Sequence, residues 1–372
     1  MDLGPRPLEG PRVSLAGAYR GRAVLVTGHT GFKGGWLVSW LKARGAEVSG
    51  YALPPETSPS FCEAARVIEG VSSAYGDVRR RSDVAVLFDR AKPEIVFHLA
   101  AQPLVRRSYR EPFETFEVNV MGTAAVLEAC RRTRSVKAVV VITTDKCYEN
   151  VDEGRAFRED DRLGGRDPYA ASKAACELLC SSYRDAFFAP EGRVALATAR
   201  AGNVIGGGDW SEDRIVPDAV RALAAGRPLV MRHSSSIRAW QHVLEPVSGY
   251  LALGARLLSE PGKFASAWNF GPDDASCVSV GELVERFARA WGKELNVERP
   301  DQNAAPHEAK VLKIDWTKAA RELGWRPAWN LDETLRMTAE WYRGHLESPA
   351  ETPRLTARQI AAYEEAVGVA HA

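Results

Sequence analysis

The sequence predicts an α/β fold in which a doubly wound parallel sheet is covered by helices on both faces, with a smaller mixed α/β region after it. Short apolar runs rich in β-branched residues alternate with longer amphipathic runs through most of the first 200 residues. Strands that are apolar on both faces are typical of a parallel sheet buried between two helix layers. A glycine-rich loop follows the first apolar run and leads into a predicted helix.

The predicted strands are the apolar runs 23–27, 47–52, 95–99, 136–143 and 194–199. After about residue 201 the rhythm changes, because three consecutive glycines at 206–208 and several prolines divide the chain into short pieces. We expect this part to form a smaller cap, from which segments such as 267–270 return to the main sheet.

Four regions follow from this pattern. Residues 1–19 are rich in Pro, Gly and Arg and are expected to form a flexible or surface-draped arm. Residues 20–200 are expected to form the sheet domain with the catalytic residues, and residues 201–350 to form mainly a substrate-binding region. Residues 351–372 are predicted to form a C-terminal helical tail.

The charge balance excludes partners that depend on bulk attraction. The chain has 49 basic and 48 acidic residues, a formal net charge of +1, which favours neither nucleic acid nor an acidic membrane surface. The N-terminus has no long apolar segment, and no run of 18 apolar residues occurs, so we expect neither secretion nor a membrane span. An anionic ligand must therefore be held by local groups.

The six cysteines contain no C-x-x-C pair, and several lie in apolar stretches. This usage favours reduced, packed thiols in a cytoplasmic protein. Cys176 and Cys180 lie four residues apart on one predicted helix, which is half of a metal site. Since no nearby His or Cys completes it, we expect both to pack in the core and predict no metal.

The glycine loop predicts a dinucleotide site. Gly28, Gly31 and Gly34 form a G-x-x-G-x-x-G pattern between a predicted strand and a helix. Such glycines let the backbone approach a pyrophosphate at a helix N-terminus, where free N–H groups and the helix dipole favour an anion. A lone glycine triplet can mark no more than a tight turn, but its place inside a β-α-β pattern favours a dinucleotide.

The loop's surroundings favour NAD over NADP. The second strand does not end in the acidic residue that usually binds the adenosine ribose, and no basic clamp for a 2′-phosphate is present there. Lys33 is either such a clamp or, as we prefer, a solvated lysine. Asp77 is expected either to meet the adenine edge or to cap a helix.

Two segments carry the acid and base chemistry. Tyr169 and Lys173 lie one turn apart on one predicted helix face, so the ammonium is expected to lower the pKa of the phenol and make it a base for a sugar hydroxyl. Thr144, Asp145 and Lys146 follow an apolar strand. A simple dehydrogenase needs only the tyrosine and lysine, so the second segment indicates a further proton-transfer step.

Together these motifs resemble the extended short-chain dehydrogenase/reductase family, and within it the nucleotide-sugar 4,6-dehydratases. The closest likeness is to the subfamily that acts on CDP-glucose, and it extends from about residue 21 to 342. It rests on the glycine loop and on the segments 100–106, 144–150, 200–210, 236–246, 268–272 and 306–308.

The resemblance implies the chemistry and the residues that perform it. Oxidation of the sugar at C4 makes the C5 hydrogen acidic, so water can leave from C6. The resemblance makes Asp145 the acid for the C6 oxygen and Lys146 the C5 base, which demands a lowered pKa, or else a cation that stabilises the enolate. Thr144 is placed to hydrogen-bond the C4 oxygen. The alternative is that Asp145 and Lys146 form an ordinary surface pair after a strand, with no role in catalysis.

The resemblance also implies which residues bind the ligands. Asn203 and Arg238 are expected to hold the diphosphate, since a planar guanidinium suits phosphate, and His307 and Glu308 to hold the nucleotide ribose. Trp240 is either a stacking platform or a core residue. The remaining predicted substrate-binding residues are Ser108 and Arg200. The remaining predicted cofactor-binding residues are Thr30, Phe32, Val78, Leu99, Ala100, Ala101, Gln102 and Asn119.

The expected reaction converts CDP-glucose into CDP-4-keto-6-deoxyglucose with NAD as cofactor, in deoxysugar biosynthesis for lipopolysaccharide O-antigen. The helices around residues 118–129 and 170–183 are those that pair in family dimers, so a homodimer or homotetramer is expected. Alternatives remain open: a dehydratase or epimerase for a dTDP-, GDP- or UDP-linked hexose, or a catalytically silent NAD-binding protein.

Overall fold

The computed structural model describes residues 15, 17–152, 154–231, 234–298 and 311–368. A seven-stranded parallel sheet forms its centre, with the order β10-β6-β5-β4-β1-β2-β3. Its strands are β1 (Ala23–Thr27), β2 (Glu47–Ala52), β3 (Ser72–Tyr75), β4 (Ile95–His98), β5 (Ala138–Ile142), β6 (Ala195–Ala201) and β10 (Ala267–Phe270). The doubly wound fold class is confirmed.

The strand order reverses between β1 and β4, which is the place where doubly wound sheets open a crevice for ligands. Val24 of β1 pairs with Val48 of β2 on one side and with Ile95 of β4 on the other. All residues of β4, β5 and β6 are buried, because helices cover both faces of the sheet. The carboxyl ends of β1, β4 and β5 therefore face one shared crevice.

The α-helices account for most of the connections between strands. They are α1 (Phe32–Ala43), α2 (Phe61–Ala64), α3 (Arg81–Ala91), α4 (Val105–Arg110), α5 (Pro112–Phe116), α6 (Gly122–Arg132), α7 (Pro168–Tyr183), α8 (Ala189–Glu191), α9 (Ile215–Ala225), α10 (Leu244–Ser259), α11 (Pro261–Phe264), α12 (Val280–Trp291), α13 (Leu331–Glu347) and α14 (Thr352–Ala366). Short π-helical segments cover Glu117–Met121, Arg184–Phe188 and Ala319–Leu323. Turns of 3₁₀ helix cover Asp145–Cys147, Asp274–Ser276 and Pro349–Glu351.

A second, smaller sheet lies beyond β6. Its strands are β7 (Asn203–Ile205), β9 (Ile237–His242), β11 (Cys277–Ser279) and β13 (Val311–Leu312), and β9 pairs with the other three. A two-stranded pair, β8 (Leu229–Val230) with β12 (Val297–Glu298), completes this part. The chain meanwhile returns to the large sheet, because Ala267–Phe270 pairs with β6.

The two ends of the described chain pack onto the domain. Tyr19 is fully buried and donates a hydrogen bond to the Leu251 carbonyl at 2.6 Å, so the end of the expected N-terminal arm belongs to the core. The rest of that arm, residues 1–14 and 16, lies outside the described residues. At the other end α14 is anchored by Tyr363, whose hydroxyl donates to Glu245 of α10 at 2.5 Å. In the part of the chain that the structure describes, no helix is long and apolar enough to cross a membrane.

Candidate active site

A cavity of about 540 Å³ opens at the carboxyl edge of the large sheet, between the ends of β5 and β6 and the smaller sheet. Its walls combine carboxyl, ammonium, phenol, amide and guanidinium side chains. Among the residues that line it are Lys33, Thr144, Asp145, Lys146, Tyr169, Asn203, Arg214, Arg238 and Trp240. The structure therefore gathers into one cavity residues that lie as far apart in the sequence as 33 and 240.

One wall is the segment that follows β5. Thr144 is the N-cap of the 3₁₀ turn Asp145–Cys147, because its hydroxyl accepts a hydrogen bond from the Lys146 backbone at 3.4 Å. The same hydroxyl donates to Asp145 Oδ1 at 3.0 Å. Asp145 is almost fully buried, and a Cβ added to Gly202 would lie 3.2 Å from its Oδ2. Glycine at position 202 thus leaves room for a carboxylate at the cavity floor.

Helix α7 supplies the tyrosine and lysine. Asp167 caps its N-terminus by accepting the Ala170 N–H at 2.9 Å, and Pro168 occupies the first turn. Tyr169 and Lys173 then lie one turn apart on one face, as predicted. The Lys173 ammonium donates to the Ile142 carbonyl at the end of β5, at 3.1 Å, so the helix and the strand are joined at the catalytic position.

The pKa of Tyr169 differs from the sequence expectation. Burial raises it to about 12, while a hydrogen bond with Thr144 and the charge of Arg214 pull it down and Asp145 raises it. The principal cation acting on the phenol in this structure is Arg214, whereas Lys173 is bound to the Ile142 carbonyl. The expectation that Lys173 lowers the phenol pKa is therefore wrong for this structure, because desolvation dominates.

Lys146 lies at the border of the cavity. Its Nζ is 3.5 Å from Asp145 Oδ1 and 3.4 Å from Asn203 Oδ1, and 27% of its side chain stays exposed. The amine is therefore held between a carboxylate and an amide, with partial access to solvent.

Lys33 is not the solvated lysine that we expected. Its side chain is only partly exposed and faces the catalytic cavity. Burial, together with the charges of Arg214 and Lys173 and against the opposing charge of Asp145, lowers its pKa to about 7. Lys33 therefore lies within electrostatic range of Asp145 and Lys173. A clamp for the 2′-phosphate of NADP is expected at the end of β2 instead.

The glycine loop forms a tight cradle at the N-terminus of α1. Gly28 has a φ of +76°, and a Cβ there would lie 2.7 Å from the Ala100 nitrogen. A Cβ on Gly34 would lie 2.0 Å from the Gly28 oxygen. Gly31 is the N-cap of α1 and makes no side-chain cap, so the first N–H groups of the helix stay available for an anion. These residues fit the pyrophosphate of a dinucleotide.

The loop that follows β4 borders the same crevice. Thr27 Oγ1 accepts the Ala100 N–H at 3.3 Å. The side chain of Asn119 is buried, and its oxygen accepts the Gln102 N–H at 2.8 Å. Its amide nitrogen donates to the Gln102 carbonyl at 3.2 Å and to the Ser172 hydroxyl of α7 at 2.8 Å. Leu99 and Ala101 flank this clamp. Asn119 therefore fixes the shape of the loop through contacts inside the protein.

Several residues predicted to bind the cofactor, among them Asp77 at its adenine edge, make contacts inside the protein. Thr30 donates its hydroxyl hydrogen to the Leu53 carbonyl just past β2, at 2.8 Å. Asp77 forms an ion pair with Arg79 at 2.6 Å and accepts the Arg79 N–H, whereas the N-cap of α3 is Arg80, so Asp77 is not a helix cap. Val78 is buried beneath Gly122. Phe32 extends toward Gly206, where an added Cβ would lie 3.3 Å from its ring.

Two predicted substrate-binding residues lie elsewhere. Arg200 is 3% exposed and forms an ion pair with Glu177 of α7 at 2.8 Å, behind the catalytic segment. Ser108 is fully buried, accepting the Tyr169 N–H at 3.1 Å and donating to the Val105 carbonyl at 2.6 Å. Both side chains bind other parts of the protein and neither lines the cavity, so their assignment to the substrate is corrected to a supporting one.

The far wall carries the phosphate-binding candidates. Arg238 of β9 is buried, faces the cavity and donates to the Ile237 carbonyl at 2.9 Å. Trp240, two residues further on the same strand, lines the cavity and donates to the Val278 carbonyl at 3.1 Å. Asn203 of β7 pairs with Trp240 in register. His307 and Glu308 lie outside the described residues.

Sequence reasoning missed two charged residues. Arg214 lines the cavity, pairs with Asp209 at 2.7 Å and acts on the Tyr169 pKa. Glu177 lies four residues after Lys173 on α7, and this spacing was the available signal, since it puts a carboxylate on the catalytic face of an otherwise apolar helix.

Comparison with known proteins identifies the family. The family model described as GDP-mannose 4,6 dehydratase matches residues 25–338. A CDP-glucose 4,6-dehydratase from Salmonella typhimurium is 46% identical over 329 residues, 87% of this chain and 91% of the relative. A dTDP-glucose 4,6-dehydratase from Xanthomonas campestris is 26% identical over 342 residues, 86% and 92% of the two chains. The structure of the UDP-glucose 4-epimerase of Thermus thermophilus in complex with NAD superimposes with a TM-score of 0.74 at 28% identity, covering 86% of this chain and 99% of the epimerase.

Proposed function

The chain belongs to the GDP-mannose 4,6 dehydratase family, and we propose from that premise that it converts CDP-glucose into CDP-4-keto-6-deoxyglucose and water, with NAD as its cofactor. The observation that carries the proposal is the joint placement of Tyr169, Asp145 and Lys146 in one cavity. Tyr169 serves oxidation at C4, with Lys173 one turn behind it on α7, and Asp145 and Lys146 serve the elimination. Similarity to the Salmonella enzyme supports CDP-glucose as the substrate.

The steps follow from the chemistry of the sugar. Tyr169 takes the proton of the C4 hydroxyl. When Asp145 carries the proton that it later gives to C6, it is the donor to the Thr144 hydroxyl, and the hydroxyl hydrogen of Thr144 is donated to the oxygen that becomes the ketone. Bound NAD supplies the capacity to accept two electrons and a hydrogen from C4 and to return them at C6, which keeps the reaction redox-neutral. Gly28, Gly31 and Gly34 would hold its pyrophosphate.

Elimination needs an acid because hydroxide is a poor leaving group. Asp145 protonates the C6 oxygen while Lys146, in its unprotonated form, takes the C5 proton, so the C5–C6 double bond forms as water departs. Asp145 lies at the cavity floor within hydrogen-bond reach of Thr144, which places the acid beside the group that holds the C4 oxygen. Both steps therefore act on one sugar without its release.

Lys146 is the proposed C5 base. Its Nζ lies between the Asp145 carboxyl group and the Asn203 amide and keeps solvent contact. The amine takes the C5 proton, the resulting ammonium stabilises the enolate, and the proton returns to C5 when hydrogen is delivered to C6. Lys146→Met tests this role. We expect loss of C5 hydrogen exchange in D₂O together with loss of product, and rescue of exchange with an added small amine. Retained C5 exchange in this variant would exclude Lys146 as the base.

At the nucleotide end, Arg238 and Asn203 would bind the diphosphate. The Arg238 side chain is held by the strand and faces the cavity, and its planar guanidinium matches two phosphate oxygens at once. Trp240 lines the same wall and offers an apolar surface to the sugar or base. His307 and Glu308 remain proposed ribose ligands from the resemblance alone.

A homodimer is the proposed assembly. Phe113, Met121 and Leu178 are 76%, 61% and 62% exposed and lie on the α5–α6 and α7 helices, which the family resemblance pairs between subunits. Exposed large apolar side chains on adjacent helices are typical of a protein interface. Leu178→Glu is expected to shift the mass measured by light scattering from dimer to monomer, whereas Val86→Glu, on exposed α3, leaves it unchanged.

The cytoplasm and O-antigen deoxysugar biosynthesis are the proposed setting. All six cysteines are free thiols, and five of them are buried, which suits a reducing compartment.

A substrate panel tests the proposed function directly. The protein is incubated with NAD and with CDP-, dTDP-, GDP- or UDP-glucose, and the products are identified by mass and by their 4-keto absorbance. We expect CDP-glucose alone to lose water at a substantial rate. Conversion of another nucleotide sugar with loss of water would change the substrate. Inversion at C4 without loss of water would indicate an epimerase, and no conversion at all would indicate a silent NAD-binding protein.

A further inference from the structure

The segment 144–147, called here the catalytic segment, is held from behind by one buried carboxylate, that of Glu177. Glu177 is 4% exposed and lies on α7, two turns after Tyr169 and one turn after Lys173. One of its oxygens accepts the Thr143 hydroxyl, and the other accepts Arg200 at 2.8 Å and the Thr198 hydroxyl at 2.7 Å. Both carboxylate oxygens therefore have partners inside the protein, and Glu177 does not line the cavity.

Glu177 is linked to both ends of the catalytic segment, to one end directly and to the other through Arg200. Thr143 directly precedes Thr144, and it is bound by Glu177 itself. Tyr148 directly follows Cys147, and its hydroxyl accepts a hydrogen bond from Arg200 at 2.7 Å while donating to Asn269 at 2.7 Å. The Arg200 guanidinium also lies over the Tyr148 ring, 4.9 Å from its centre. The segment 144–147 is thus clamped at one end by Glu177 and at the other by the arginine that Glu177 neutralises.

We propose that Glu177 is a positioning residue for the reaction, which sets the place of Thr144 and Asp145 relative to Tyr169 through Thr143 and Arg200. The helix that carries Tyr169 also carries the carboxylate that fixes the opposing acid. The distance between the C4 base and the C6 acid is therefore determined by one rigid helix. This inference rests on the proposed dehydration, since that reaction needs both groups on one sugar.

The electrostatics keep the clamp in one state. Burial opposes ionisation of Glu177, but the hydrogen bond and charge of Arg200, aided by Thr143 and Thr198, outweigh it and hold the pKa of Glu177 below its ordinary value. A charged, fully hydrogen-bonded carboxylate makes shorter and more directional bonds than a neutral one. The clamp is consequently present throughout the neutral pH range.

Two threonines provide a matched test. Thr143 and Thr198 each donate one hydroxyl to Glu177, and both are buried. Thr143 adjoins the catalytic segment, whereas Thr198 lies in the middle of β6. Thr143→Val and Thr198→Val remove the same kind of hydrogen bond from the same carboxylate, so a merely structural role predicts equal effects on both stability and turnover.

Positioning predicts a difference instead. Thr143→Val is expected to lower kcat for CDP-glucose by about 10²-fold with KM nearly unchanged, since a displacement of about 1 Å in a reacting group has that effect. It should also release 4-keto-glucose nucleotide that has not lost water. Thr198→Val is expected to keep kcat within about threefold of the parent value. Its loss of stability should match that of Thr143→Val, because each variant removes one hydrogen bond to the same carboxylate.

Glu177 variants separate positioning from direct contact, because Thr143 borders the cavity and Glu177 does not. Glu177→Gln is expected to reproduce the uncoupled product of Thr143→Val per folded molecule, and Glu177→Asp to restore part of kcat. If Glu177→Gln does not fold, the threonine pair decides. Equal kcat for the two threonine variants, or a Glu177→Gln enzyme with parental kcat and coupled products, would overturn the proposal. A parent protein that dehydrates no nucleotide sugar would overturn the proposed function instead.

Discussion

Two buried glutamates in this molecule have pKa values that are shifted in opposite directions. Glu177, behind the catalytic segment, faces Arg200 at 2.8 Å, and its pKa is held low. Glu245, at the junction of α10 with the C-terminal helix, is bound by the backbone N–H groups of Ala328 and Trp329 and by the Tyr363 hydroxyl. Burial raises the pKa of Glu245 to about 7, and these hydrogen bonds reduce the increase without cancelling it.

The difference shows where the fold uses an internal counter-ion. Below the active site a full charge pair fixes the position of reacting groups, and a buried pair of this kind serves specificity of geometry more than stability. At the tail junction hydrogen bonds alone are sufficient, because only docking of a helix is required. The same distinction separates two buried arginines. Arg200 is neutralised inside the protein, whereas Arg238 faces the cavity, where we propose that it binds the diphosphate of the substrate.

The largest expected effect on stability comes from breaking the internal pair. Glu177→Gln leaves Arg200 as a buried cation without its carboxylate, and removing one partner of a buried pair typically costs about 3 to 5 kcal/mol. The free energy of unfolding in urea should fall by that amount at neutral pH. Glu245→Gln, which removes a carboxylate of equal burial but no ion pair, is the control. A loss of equal size in both variants would contradict the contrast.

The pH dependence of Glu245 sharpens the comparison. Its folded pKa, about 7, lies above the value of about 4.3 of an exposed glutamate, so the unfolded chain releases the proton first as pH rises. Stability is therefore lost between those two pH values, by on the order of 3 kcal/mol, and levels off above pH 7. Glu245→Gln should remove this slope from the thermal unfolding midpoint without changing kcat. A parent and variant that lose stability in parallel would refute the assignment.

Arg238 tests the proposed contact with the diphosphate. Arg238→Ala should raise KM for CDP-glucose by about 10- to 100-fold, the usual worth of a hydrogen bond to a charged group, with kcat little changed. The proposed interaction is remote from the reacting carbons and would be similar in ground and transition states. Arg238→Lys keeps the charge but not the planar fork and should fall between. A collapse of kcat at constant KM would place Arg238 at the sugar.

The smallest expected effect concerns Arg214, a cavity arginine with its own partner, Asp209. Arg214 lowers the pKa of Tyr169 against the effect of burial. Arg214→Met should therefore raise that pKa and move the rise of kcat with pH toward higher pH, by on the order of one pH unit. Arg106→Met, at the cavity mouth, is the control. A profile that does not move would exclude Arg214 from tuning the phenol.

Local patterns were sufficient to predict the strands and the reacting groups. The runs 23–27 and 47–52 coincide with β1 and β2, because apolar β-branched runs bounded by polar or glycine residues have few alternatives. Tyr169 and Lys173 share a face because helix geometry places residues four apart side by side. Strand β3 was missed, since its sequence is polar and its four residues are exposed.

Long-range contacts could not be predicted. Arg200 follows a strand like a ligand-binding residue, but its partner Glu177 lies 23 positions earlier on a helix, and only the packed fold brings the two together. Lys33 is similar, because the direction of its side chain depends on the path of α1 across the sheet edge. The residues that support the site through buried ion pairs could therefore not be predicted from the sequence. The residues proposed to react could be predicted from local motifs.

The division of labour between Tyr169 and Asp145 is the central claim, and one rapid-quench measurement tests it. Asp145→Asn keeps the shape of the side chain but removes the acid, and general acid catalysis is typically worth about 10² to 10⁴-fold. With CDP-glucose and NAD, the variant should accumulate a 4-keto-glucose nucleotide that retains its C6 oxygen, with little 6-deoxy product. Tyr169→Phe should form neither species. Turnover of Asp145→Asn at the parental rate, or complete loss of C4 oxidation as in Tyr169→Phe, would contradict the account.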